Sequence, residues 1–172
     1  MIPDDQVPQG VLVRGFHPGY ERNGIYTLDE VFTQIGNSWA EFDGDFIKIT
    51  SDRYQVFRES LVCVRCGITG MYFAKERSAK KVRKQLKGGK FETSFRGTGR
   101  TWHFNLYGLQ NGKEVMLTKD HVLPKSKGGG NDLSNLCTMC MTCNTEKGNS
   151  TQMFLLFWKQ PEIEKAEAAY AG

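Results

Sequence analysis

The chain has no long apolar run. Its most hydrophobic stretch, MFLLFW at residues 153–158, is six residues long and ends at Lys159, whereas a membrane-spanning helix needs roughly 20. The opening MIPDDQVPQG is acidic and lacks the apolar centre of a secretory leader. A cytoplasmic protein is therefore expected. No internal repeat or long low-complexity linker appears, and histidine is scarce, with only His17, His103 and His121. What is present is ordinary for a soluble protein: 172 residues, 39% hydrophobic and 24% charged, enough for one domain or one domain with an appendage. Disulfides are disfavoured in a reducing compartment, so closely spaced cysteines point to metal ligation before cross-linking.

The net charge of +4 is mild but unevenly spread. Residues 75–100 hold ten Lys/Arg against two Glu. The spacing of Ala79, Val82 and Leu86 predicts a helix over 75–87 with Gly88-Gly89 as its stop. Lys80, Lys81, Arg83, Lys84 and Lys87 then lie on its wet faces. A solvated helix face is one reading; a polyanionic partner is the other, because clustered cations release phosphate-bound counterions.

Other elements are predicted from local signals. TLDEVFTQIG at 27–36 reads as a short helix, with Thr27 and Glu30 as a capping box and Gly36 as the stop. FDGDFIKI at 42–49 reads as a hairpin turning at Asp43-Gly44. SDRYQVFRESL reads as a helix capped by Ser51 with Tyr54, Phe57 and Leu61 inward. Asn111-Gly112 joins two runs rich in aromatic and aliphatic residues, a hairpin signal that puts Asp120-His121 at the end of its second strand. Adjacent strand residues face opposite ways, so this pair serves one site only if the chain leaves regular geometry there. Pro124 and the loop PKSKGGGND supply that exit.

Cys63 and Cys66, followed by Gly67, have the knuckle spacing that wraps two thiolates around one side of a tetrahedral metal. Cys137, Cys140 and Cys143 form two overlapping C-x-x-C pairs downstream. Four sulfurs suit structural zinc, and the favoured set is Cys63, Cys66, Cys140 and Cys143. The register using Cys137 and Cys140 stays open on spacing, as does an iron-sulfur cluster. Either set ties together segments more than seventy residues apart and encloses the basic stretch.

The stretch KDHVLPKSKGGGNDLSNLCTMCMTCNTEKGN at 119–149 holds parts for chemistry. Asp and Asn oxygens are hard ligands suited to Mg²⁺ or Mn²⁺, and a neutral imidazole takes a proton from water. Asp120, His121, Asn135 and Asn144 thus suit metal-assisted phosphodiester hydrolysis. His17 and His103 read as structural.

The D-H strand, the GGGND loop, N-L and C-x-x-C-N-x-x-K-G resemble an HNH nuclease motif of the ββα-metal type, in the subset braced by two C-x-x-C pairs. With the first cysteine pair the likeness runs over 63–149. LVCVRCGITGMYFAKE and HFNLYGL also resemble phage-encoded HNH endonucleases, which would place the chain in a host cytoplasm. The resemblance implies that Asp120 and Asn144 ligate the catalytic Mg²⁺ or Mn²⁺, that His121 is the general base, and that Asn135 holds the loop and orients His121. Asn144 stands where many members have a final histidine, an H-N-N variant. The implied products carry a 5′-phosphate and a 3′-hydroxyl. Lys125, Lys127, Lys147 and the basic stretch are expected phosphate contacts on DNA.

The expected fold is α+β: a ββα-metal core braced by a four-cysteine zinc site over 51–152, an N-terminal α/β extension over 1–50 and a helical tail over 153–172, as monomer or homodimer. Two other functions compete. One is a four-way-junction resolvase, against which the 54 positions from Cys66 to Asp120 count. The other is a non-catalytic zinc module that binds nucleic acid, which gives Asp120, His121 and Asn144 no role.

Overall fold

Two dipeptides that require positive φ set the first landmarks. Asp43 and Gly44 sit at φ 50° and 77°, Asn111 and Gly112 at 52° and 70°, the backbone that two-residue hairpin turns need. Both expected hairpins form around them. The computed structural model describes residues 1–2, 6–17, 19–89, 91–97 and 101–150. The expected tail over 153–172 lies outside the described residues.

The chain divides into two units, residues 1–49 with 72–105 and residues 50–71 with 106 onward. The stretch 72–105, expected to belong with the nuclease motif, counts instead with the N-terminal residues. The first unit is built on strands β1 (Gly15–His17), β2 (Tyr20–Tyr26), β5 (Tyr72–Gln85) and β6 (Phe91–Gly97), antiparallel in the order β1-β2-β5-β6. Helix α1 (Leu28–Phe32) begins at the capping box read from the sequence, with Thr27 accepting from the Glu30 amide and Glu30 from the Thr27 amide. The hairpin β3 (Trp39–Phe42) and β4 (Asp45–Lys48) turns its Ala40, Phe42 and Ile47 inward. The core is aromatic. The Phe104 ring meets Phe42 and Tyr26 edge-on at 4.7 and 5.1 Å, an arrangement that suits ring quadrupoles.

The helix expected over 75–87 is absent. Those residues continue β5, paired with β2 from Phe73 to Ser78 and with β6 from Ala79 to Gln85. Gly88 and Gly89 sit in the turn between β5 and β6 instead of ending a helix. The supposed apolar stripe does not form a buried face, since Val82 and Leu86 are 37% and 41% exposed. Residues 75–78 pair with β2, over fifty residues away, and residues 79–85 with the neighbouring β6, and this pairing overrides local periodicity.

The second unit holds α2 (Asp52–Glu59), the strands β7 (His103–Gln110, from Leu106 onward), β8 (Lys113–His121) and β9 (Leu136–Cys140), and helix α3 (Met141–Lys147). β8 pairs antiparallel with both β7 and β9. α2 buries Tyr54, Val56 and Phe57, while Ser51 caps it by position without a side-chain hydrogen bond. Two glycines allow close approach: a Cβ at Gly108 would stand 2.3 Å from the Thr69 carbonyl oxygen, and one at Gly70 would stand 2.7 Å from the Leu106 side chain. Among the described residues no helix is long and apolar enough to cross a membrane.

Candidate active site and metal centre

The first cysteine pair lies in a tight knuckle. The Cys63 amide donates to the Ile68 carbonyl at 2.8 Å, and Gly67, at φ 76°, donates to the Cys63 carbonyl at 2.9 Å. Two bonds tie this knuckle to β9: Val64 N to Thr138 O at 3.0 Å and Thr138 Oγ1 to Ser60 O at 2.5 Å. The second pair comes from the junction of β9 and α3, where Cys140 caps the helix by accepting from the Cys143 amide. The result is a cluster of Cys63, Cys66, Cys140 and Cys143 with all four sulfurs within 4.8 Å of one another.

Zinc fits this donor set. With Zn–S bonds of about 2.3 Å, tetrahedral sulfurs lie roughly 3.8 Å apart, and Cys66 Sγ lies 3.7 Å from Cys140 Sγ. The open choice of register is thereby decided, because Cys137 sits inside the ladder opposite Asp120. Burial works against the Cys63 thiolate, but hydrogen bonds from the Cys140, Cys66 and Arg65 backbone and the Cys66 side chain outweigh it, bringing the group from 9.0 to about 7. Burial pushes Cys140 and Cys143 up, and the charge of Cys63 pushes them further. The pocket thus favours one thiolate and resists more until a cation neutralises them.

Asp120 and His121 end β8. Pairing stays in regular register through His121 opposite Leu136, so the exit from strand geometry comes one residue after the Asp120-His121 pair and not at the pair as expected. Asn135 fixes the departure. Fully buried, it accepts from the Leu123 amide at 2.8 Å and donates to the carbonyls of Leu123 at 3.1 Å and Gly130 at 2.9 Å, while its own carbonyl takes the Val122 amide. Its side chain therefore holds the loop through backbone groups and makes no hydrogen bond to the imidazole. A Cβ at Gly129 would fall 1.8 Å from the Leu123 carbonyl oxygen, so this turn needs glycine there. The His121 Nε2 lies 3.0 Å from Asn131 Oδ1, a contact no sequence signal separates from an ordinary loop asparagine.

Helix α3 lays two side chains along β8. Asn144 Nδ2 donates to Thr118 Oγ1 at 3.0 Å, and Lys147 Nζ donates to Asp120 Oδ2 at 2.5 Å and to the His121 carbonyl at 2.6 Å. Thr118 and Asp120 are two apart and share a strand face, so Asn144 and Asp120 come to one side. Among the described residues neither Asp120 Oδ1 nor Asn144 Oδ1 accepts a hydrogen bond. One carboxylate and one amide oxygen, next to exposed loop surface, form a donor set that fits a hard cation with water completing its shell.

Lys147 departs from its expected place. It is 3% exposed and turned to Asp120, so its ammonium is not a surface contact for phosphate. Lys125 and Lys127 are exposed on a 3-10 turn over Lys125–Lys127. In the first unit Lys80, Lys84 and Lys87 are exposed, whereas the side chains of Lys81, Arg83 and His17 lie outside the described ones. His103, half-buried, meets Tyr20 edge-on and Asn105 at 3.4 Å, a packing role.

Comparison with known proteins bears on the second unit. No curated protein and no solved structure matches the chain. Residues 109–156 match the family model described as HNH endonuclease. The segment carrying Asp120, His121, Asn135 and Asn144 is therefore an HNH endonuclease-type segment, by its match to that family's model.

Proposed function

We propose that the chain is a metal-dependent endonuclease that hydrolyses phosphodiester bonds of duplex DNA, with the β8–β9–α3 succession as a ββα-metal core. His121 is the general base. Its Nε2–H donates to Asn131 Oδ1, which fixes the tautomer and leaves Nδ1 to take the proton from the attacking water. Asp120 and Asn144 hold one Mg²⁺ or Mn²⁺, which when bound supplies charge stabilisation to the phosphoryl oxygens and the leaving 3′-oxygen. Lys147 holds the Asp120 carboxylate aimed along β8. Asn135 keeps the loop, and with it Asn131, at a fixed distance from the strand end. In-line displacement of the 3′-oxygen leaves a 5′-phosphate and a 3′-hydroxyl.

The observation that carries this reading is the seating of Asn144 on Thr118 and of Lys147 on Asp120, which sets a carboxylate and an amide on one strand face beside the terminal histidine. A binding-only zinc module has no use for that arrangement. The purified protein is expected to cleave linear duplex DNA when Mg²⁺ or Mn²⁺ is added. His121→Ala should lose at least about 100-fold in rate, the lower range for removing a general base, while keeping its zinc. Cleavage by His121→Ala at the parent rate would refute the assignment of the base. A four-way junction cut in preference to the linear duplex would move the substrate to branched DNA.

A further inference from the structure

Strand β5 outruns its sheet. β2 pairs with it only as far as Ser78, whereas β6 pairs with Ala79 through Gln85 over seven consecutive partners. The first residue of that ribbon, Ala79, still donates to the Gly19 carbonyl at 2.9 Å, and from there the ribbon, at about 3.4 Å per residue, extends roughly 20 Å. Its sequence, residues 79–97, holds seven Lys/Arg and one Glu. Lys80, Val82, Lys84, Leu86 and Lys87 are all exposed, and Lys80 stands opposite Arg96 in the ladder.

This ribbon is poorly built for life in water alone. A two-stranded hairpin without a core is marginal, and Val82 and Leu86 stay 37% and 41% exposed on it. Each feature is relieved by a polyanion that neutralises the charges and covers the apolar side chains. The dimensions select among polyanions: the major groove of B-DNA, about 12 Å wide, admits a two-stranded ribbon as it stands, whereas the minor groove, about 6 Å wide, takes one only if the duplex is bent or widened, and the deep, narrow major groove of duplex RNA excludes it. We propose that the β5–β6 ribbon is an arm that enters the major groove of duplex DNA. This rests on the DNA reading above and adds the mode of binding.

Binding can be read apart from cleavage by using the His121→Ala protein and a fluorescent duplex of about 20 base pairs at salt concentrations between about 50 and 200 mM. Adding Lys80→Ala, Lys84→Ala and Lys87→Ala together is expected to weaken binding at least about tenfold at roughly 150 mM salt. The slope of log affinity against log salt should become shallower by about 2 to 3, at roughly 0.9 for each phosphate no longer neutralised. A duplex with bulky groups at carbon 5 of its pyrimidines, which fill the major groove, should bind the unsubstituted arm at least about tenfold more weakly, and duplex RNA likewise. An unchanged salt slope in the triple variant overturns the arm, and equal binding to the blocked duplex or to RNA overturns groove entry. The groove comparison needs no arm substitution, so it decides even if the triple variant misfolds. Failure of the nuclease reading appears separately, as linear duplex DNA left uncut by the parent protein with Mg²⁺ or Mn²⁺ added.

Discussion

At the scale of single residues, Asn135 carries more of the site than any other side chain. Its three hydrogen bonds stand in for strand partners that the chain loses when it leaves β8. Replacing it with Ala strips the Leu123 amide and carbonyl of that partner inside a buried region, at about 1–3 kcal/mol for each group left unpaired. Asn135→Ala is therefore expected to lower stability by roughly 2–4 kcal/mol. Asn135→Asp, similar in shape, should not rescue it, because a carboxylate would then face the Leu123 and Gly130 carbonyls. Chemical denaturation checks both, and a loss under about 0.5 kcal/mol in Asn135→Ala would show that the loop is held by something else. Asn135 was legible through the family likeness. Asn131 was not, because its role depends on a loop path that only Gly129, pressed against Leu123, and Asn135 together define.

At the scale of elements, legibility tracked sequence distance. The turns at Asp43-Gly44 and Asn111-Gly112 and the box at Thr27 and Glu30 are settled by four or fewer residues, and all three form as read. Strand β5 depends up to Ser78 on partners at Tyr20–Tyr26, far outside any window that shows helical spacing, and from Ala79 on Phe91–Gly97, reached through a turn with no dipeptide as explicit as Asn-Gly. The cysteine register is an intermediate case. Spacing allowed two options, and the β8–β9 ladder decided between them by holding Cys137 opposite Asp120 while Cys140 ends the strand. Cys137→Ala should accordingly keep a full zinc equivalent by mass spectrometry, at a cost of no more than about 1–2 kcal/mol for a small cavity. Cys143→Ser should lose the metal, and zinc retained there but lost in Cys137→Ala would reverse the assignment.

At the scale of the whole molecule, the two units have different sources of stability. The first packs Tyr26, Phe42, Phe73 and Phe104 ring against ring. In the second, the cluster around the knuckle consists of Ile68, Val122, Met139 and four cysteines, three of them expected zinc ligands. The unit also buries Tyr54, Phe57, Leu106 and Leu117, but the knuckle cluster is too small to hold without a metal, and zinc binding is then folding energy there. A chelator is expected to remove amide-exchange protection from residues 106–150 while leaving 20–48 and 72–78 protected. The direction with pH follows from the thiols. Cys63, lowered to about 7 from 9.0, contributes stability above its unfolded value and loses it as pH falls through about 7. Cys140 and Cys143 are raised, so zinc must displace their protons, and its affinity rises with pH. The chelator concentration that unfolds the second unit should therefore increase from about pH 6 to about pH 8. An unchanged midpoint over that interval would mean that the sulfurs do not hold the metal as thiolates, and protection lost equally from both units would mean that the first also depends on it.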